Sequence, residues 1–178
     1  MAQSIVWSIP LDKKLTVRET VLFGMLGALI FAAKYVMAFL PNIEPVSLMV
    51  MLCAVTFGWK AAYPIALYVL MEVMFYGLGL WNVNYLYIWA ILALAAGWMR
   101  QIRGALPWAI LSGAFGLMFG ALCAPVDVVI RGLGYAAAKW VSGIPFDIAH
   151  CIGNFAMALV LFAPMRNLLE KLYAKLMR

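Results

Sequence analysis

The chain has 178 residues, 67% of them apolar and only 11% charged, and its mean hydropathy is +1.00. Soluble domains hold roughly 45–50% apolar and about 25% charged residues, so this composition leaves too much apolar surface for water and excludes a soluble globular protein. The net charge of +6 is gathered at the ends of apolar runs, as in an integral membrane protein, and no nucleic-acid partner is expected.

In chain order, a mixed lead to about Glu19 carries Lys13, Lys14 and Arg18. No cleavable signal is expected, because the next apolar run exceeds a signal core. The first predicted helix covers residues 20–40, with Lys34 its only charge, and reaches about 30 Å, a full hydrocarbon core. Pro41, Asn42, Ile43, Glu44 and Pro45 end it, since proline fixes φ and lacks a donor. The second, 46–59, reaches only about 21 Å and is either a short span or a re-entrant segment. Helices follow at 61–80, 84–99, 105–130 and 147–173. The last passes Pro164 into a basic amphipathic tail.

Charge asymmetry decides the short second run. With six spans, the basic residues at 13, 14, 18, 60, 100, 103, 166, 171, 175 and 178 share one side, and only Lys34, Arg131 and Lys139 fall on the other. Positive charge favours the cytoplasm. The expected fold is therefore an all-α integral membrane protein, a single compact bundle of six transmembrane helices with both termini cytoplasmic. Its outer connections would be 41–45, 81–83 and 132–146. The runs are too long for barrel strands and lack in-out alternation.

No G-x-x-x-x-G-K-[ST], G-x-S-x-G or H-E-x-x-H motif is present, so the chain is not expected to hydrolyse ATP alone. Residues 132–137 fit G-x-G-x-x-A without the strand that a dinucleotide fold requires. Cys53, Cys123 and Cys151 lie far apart in apolar runs, against a metal cluster or disulfide framework. Neither metal nor cofactor is expected.

Ionisable residues inside the spans are more informative, because each costs roughly 2.5–3.5 kcal/mol near the bilayer centre. Lys34, Glu72, Asp127, Arg131, Asp147, His150 and Asn154 all fall in the outward half. Asp127 and Arg131, four apart, are expected to share a helix face and pair. Asp147, His150 and Asn154 form one stripe at i, i+3 and i+7. Lys34 either snorkels to headgroups or faces inward, and Asp147 after Pro145 either caps the last helix or joins the stripe. Glu72 is the hardest to leave without a ligand, since a carboxylate so deep needs a partner, a proton or a bound molecule. Tyr76, Trp81, Tyr85, Tyr87 and Trp89 crowd the outer turn with Asn82 and Asn84. They form either an interfacial belt or a clamp for a ring-bearing ligand. The candidate substrate-binding set is thus Lys34, Asn42, Glu44, Glu72, Tyr76, Trp81, Asn84, Tyr85, Trp89, Asp127, Arg131, His150 and Asn154, with no catalytic residue. Small residues stack at Gly24, Ala28 and Ala32, which lets another helix approach. Ser112, Gly116 and Gly120 form a similar stripe, assigned to internal packing.

The Ala28-x-x-x-Ala32 stripe, the proline-bounded loop at 40–45 with its short second helix, the glycine- and aromatic-rich turn at 76–81 and the stretch 143–154 before a basic tail occur together. In this conjunction, over essentially the whole chain, the sequence resembles the substrate-binding S components of energy-coupling factor (ECF) vitamin transporters, with cobalamin-type members nearest in overall pattern. The resemblance implies a multi-pass protein of a bacterial plasma membrane that captures a vitamin-like small molecule on the outer face. Its partners would be a transmembrane coupling protein and two cytoplasmic ATPase subunits. Gly24, Ala28 and Ala32 would meet the coupling protein, and the first outer loop would gate the pocket. The rival reading is a small intramembrane enzyme using Glu72, Asp127 or His150 as acid or base. A pure scaffold or a stand-alone secondary transporter are further alternatives, though no inverted repeat is visible.

Overall fold

A computed structural model describes residues 14–40 and 43–177, and among these the chain is helical with no strand. The helices are α1 (Val17–Val36), α2 (Val46–Phe57), α3 (Ala62–Tyr76), α4 (Leu80–Trp98), α5 (Ala105–Arg131) and α6 (Leu133–Leu176), with a 3-10 turn at Gly58–Ala61 between α2 and α3. Five stretches are long and apolar enough to cross a bilayer, α2 through α3 counting as one, Val46–Tyr76.

The distribution of side chains is inverted relative to a water-soluble bundle. Leu78, Leu86, Val129 and Trp98 point outward, whereas Glu19, Glu72, Asp127, Asp147, His150, Asn154 and Arg166 are buried. Apolar side chains outside and ionisable groups inside suit a lipid-facing bundle, so the fold is compatible with a multi-pass membrane protein.

Contacts fix the helix directions. Phe23 meets Tyr63, Gly27 sits against Pro64 and Leu67, and Lys34 reaches Glu72, so α1 and α3 run parallel. Ser47 bonds Asn154 and Phe57 stacks edge-on against Tyr173, so α2 runs with α6. Tyr173 in turn bonds Glu19, which makes α6 antiparallel to α1. The chain therefore reverses between α2 and α3, where Gly58 takes φ +61° and ψ −133°, a combination that L side chains avoid. Nearly all of α2 is buried, because it lies between α1, α4 and α6 and presents little surface to lipid.

Thr16 and Glu19 start α1 as a capping box: the Glu19 amide donates to Thr16 Oγ1 at 3.2 Å, and the Thr16 amide to Glu19 Oε2 at 3.0 Å. The same carboxylate accepts from Lys60 and from Tyr173, tying α1, the 3-10 turn and α6 at one end. At that end Arg166, itself buried, donates to the carbonyls of Ile102 and Arg100 at 2.7 and 2.6 Å. Those bonds satisfy carbonyls of the α4–α5 connection that no helix can.

Two expectations are corrected. Residues 132–146 are not an outer loop: α6 begins at Leu133 and continues through Pro145 and Pro164, reaching about 66 Å. Gly132 turns the chain with φ +86° and ψ +164°, Lys139 ties the first turns of α6 to Asp127 of α5, and further along Gly113, Gly116 and Gly120 let residues 147–155 pack directly on α5. Proline is tolerated where neighbouring helices support the interrupted ladder. Residues 81–83 are likewise the first turn of α4, and the connection is Gly77–Gly79. The predicted helices 20–40, 61–80 and 84–99 are each offset from the observed ends by a few residues, as caps rather than hydropathy set helix ends.

Candidate functional site: a buried polar row beneath the first loop

The parallel packing of α1 on α3 brings Lys34 to Glu72. Its ammonium donates to Glu72 Oε2 at 2.7 Å and to the Tyr85 hydroxyl at 3.1 Å, and lies 5.1 Å from the Tyr85 ring centroid and 5.9 Å from that of Tyr68. Lys34 thus faces inward rather than snorkelling, and Glu72 is 2% exposed. The other oxygen of that carboxylate is buried and unpaired, since Glu72 Oε1 has no hydrogen-bond partner among the described residues.

Glu44, on the loop before α2, is half-buried and acts electrostatically on Lys34, Tyr68 and Tyr85. Burial pushes its carboxyl above the usual range; Lys34 opposes this and Glu72 adds to it. The neighbouring Ile43 packs over Gly153 of α6, where a Cβ would come within 3.1 Å of it. Ile43 thus lies against α6, and Glu44 is close enough to Lys34 and Glu72 to feel both charges. Asn42 falls outside the described residues.

An aromatic ladder leads away from this pair. Tyr85 and Trp89 sit 5.3 Å apart, Trp89 and Phe119 5.9 Å, and Phe119 and His150 5.1 Å. The first two are i and i+4 on α4, so one face of that helix carries both rings. Trp81 extends the ladder, 5.4 Å from Tyr85, and Tyr76, exposed, meets Trp81 at 6.4 Å. Tyr76 and Trp81 thus form the rim while Trp89 is fully buried.

At the ladder's far end, the Gly120 amide donates to Asp147 Oδ1 at 3.1 Å, so Asp147 sits mid-helix against α5 and does not cap α6. Asn154 donates to Ser47 Oγ at 3.1 Å and to the Ser112 carbonyl at 3.3 Å, joining α6, α2 and α5. Along the row, Tyr68 Oη, Glu72 Oε1, Trp89 Nε1, Asp147 Oδ2 and His150 Nε2 are all buried without a hydrogen-bond partner among the described residues. Buried polar atoms are nearly always paired, and an unpaired one costs about 1–3 kcal/mol. Five on connected side chains mark a place prepared for polar contacts.

Three candidates serve elsewhere. Asp127 does not pair with Arg131: Lys139 of α6 holds it at 2.7 and 3.0 Å, while Arg131 is exposed and donates to the Tyr135 hydroxyl at 2.6 Å. The helical start of α6, unexpected from sequence, places Lys139 opposite Asp127. Tyr87 of α4 donates to the Leu122 carbonyl of α5 at 2.5 Å, clasping the two helices, and Asn84 lies beside that hydroxyl at 3.0 Å on the same helix. Sequence reasoning missed Tyr68 as a site residue, yet Tyr68 and Glu72 are i and i+4, a spacing that puts both on one face. Phe119 had no comparable signal, since its role depends on the α5–α6 contact. Among the described residues no group of three or more His, Cys, Asp or Glu is placed to hold a metal ion.

A second feature lies at the other end. A groove of about 1170 Å³ between α1, α2 and α6 is lined by Leu22, Met25, Ala28, Leu29, Ala32, Met49, Leu168 and Leu172, with Arg18 and Lys175 also on its wall. The small-residue stripe is thus on an open face, and a Cβ on Gly24 would meet nothing within 4 Å. By contrast, Gly116 and Gly120 press against His150 and Asp147 of α6. No family model, curated protein or solved structure matches this chain.

Proposed function

We propose that this chain is the substrate-binding S component of an ECF-type importer. It spans a bacterial plasma membrane six times with both termini cytoplasmic, captures a vitamin-like micronutrient, of which cobalamin is one candidate, on its outer face, and leaves ATP hydrolysis to partner subunits. The observation that carries this reading is the row of unpaired buried polar atoms from Glu72 to His150, set among aromatic rings beneath the Ile43–Glu44 segment. A ligand that displaces water there gains hydrogen bonds that the protein alone leaves unmade, and the nearby residues Ile43 and Glu44 would help to shield them. The groove holding Ala28 and Ala32 suits a coupling protein, because small side chains on an open face allow close helix approach.

The enzyme reading is less well supported. Glu72 is held by Lys34 and Asp127 by Lys139, His150 rests against Phe119, and none of the three bonds another as acid–base partners would.

The test is mass spectrometry of small molecules released from detergent-purified protein, followed by titration of the identified compound into wild type and Glu72→Ala. A released micronutrient, unchanged by incubation and bound at least tenfold more weakly by the variant, is the expected result. Turnover of the compound by the purified chain, or equal affinity in the variant, would sink the proposal.

A further inference from the structure

The charge balance around Glu72 bears on what the site takes. Lys34 is held between two acids, hydrogen-bonded to Glu72 and drawn electrostatically by Glu44. The next acid with a cation of its own is Asp127, already neutralised by Lys139. The Lys34 neighbourhood therefore holds two carboxyl groups for one ammonium.

The second observation is independent of that count. Glu72 Oε1 and Tyr68 Oη are both buried and lack partners among the described residues; Tyr68 and Glu72 are four apart on α3 and share a face, and the Tyr68 ring lies 6.2 Å from that of Tyr85, so these groups converge on one place. The rings there already favour positive charge, with the Lys34 ammonium 5.1 Å from the Tyr85 centroid and 5.9 Å from that of Tyr68. Aromatic faces attract cations within about 6 Å, and a carboxylate taken from water needs a compensating charge.

We propose that the ligand of this site is a ring-bearing organic cation, its positive centre seated at Glu72 Oε1 and Glu44 and its ring against Tyr85 and Trp89. The inference rests on the S-component reading and narrows its substrate class. Lys34 then acts as a placeholder that shares Glu72 with the arriving cation. The Trp89 Nε1–H, fully buried without an acceptor among the described residues, is left to a hydrogen-bond acceptor elsewhere on the same ligand.

The experiment titrates full-length purified protein with thiamine as the cationic ring compound, riboflavin and cobalamin as larger comparison vitamins, and biotin as the anion, reading tryptophan fluorescence. Molecules released from the wild-type protein are identified in parallel. The expected result is that the compound bound or released carries a positive charge. Glu72→Gln and Glu44→Gln should each weaken its binding at least tenfold, and Lys34→Gln should tighten it at least threefold by removing a competing cation. Glu44→Gln is the safer variant for folding, since residue 44 is on a loop and half-buried. A neutral or anionic ligand, or a Lys34→Gln variant that loses binding, would overturn the cation assignment while leaving the importer reading intact. If nothing is released and no probe binds, both fall.

Discussion

The Lys34–Glu72 pair joins residues 38 apart in sequence, and each alone suggested a different story: a snorkelling lysine and a deep carboxylate in need of a partner. That Glu72 is important was readable from the cost of its burial. That Lys34 answers it was not, because the pairing depends on α1 and α3 running side by side. Asp127 teaches the converse, since a helical spacing that suggested Arg131 was overruled by Lys139 across the α5–α6 contact. Glycines show the same division. A Cβ on Gly116 would lie 2.8 Å from the backbone carbonyl atoms of His150, whereas one on Gly24 meets nothing within 4 Å. Gly116→Ala is therefore expected to destabilise the protein by about 1–3 kcal/mol through overpacking. Gly24→Ala should be neutral or stabilising by up to about 1 kcal/mol through helix propensity. Thermal unfolding in detergent checks both, and equal melting points for the two variants would contradict the packing described.

At the scale of elements, α1 has two faces with different uses. One carries Phe23, Ile30 and Phe31 into the core, and the other lays Ala28 and Ala32 along the open groove. A tryptophan at residue 28 would fill that groove without touching the Glu72–His150 row. Ala28→Trp is expected to keep ligand affinity within about twofold while abolishing uptake in cells that supply the coupling subunits, because bulk on this stripe blocks close helix contact. Loss of both activities, or of neither, would remove the partner role. The existence of these helices was legible from hydropathy, as apolar runs near 20 residues in length signal spans. The start of α6 was not, because Pro145 and a glycine-rich segment read locally as a loop. Residues 133–146 are helical although mostly exposed, tied to α5 by the Lys139–Asp127 ion pair.

For the whole molecule, basic residues separate by end. Lys60 and Arg103 join Glu19 and Glu170, and Arg18 donates to the Leu176 carbonyl of α6, at the end where α1 begins. Lys34, Lys139 and Arg131 lie toward the opposite end with Glu72, Asp127 and Tyr135. Both described chain ends therefore lie together. If the positive end faces the cytoplasm, a fluorescent reporter fused to residue 178 should be bright. A periplasm-active phosphatase should be active when inserted near Gly132 and inactive at the C-terminus. The reverse pattern would place the polar row on the inner face and remove the capture step from the proposed function.

Composition by itself pointed to an apolar solvent: too few charges for water, apolar runs of bilayer length, and ionisable groups whose burial needs a reason. Those are sums and local patterns, and transfer free energies depend on little else. The tertiary structure alone decided which acid meets which base, that α2 is enclosed while α3 climbs beside α1, and that Tyr85, Trp89, Phe119 and His150 form one ladder. Such contacts arise from helix direction and close approach at glycines, which couple residues far apart in the chain: the Ser112–Gly116–Gly120 stripe marks a packing face, but its spacing does not say which helix meets it.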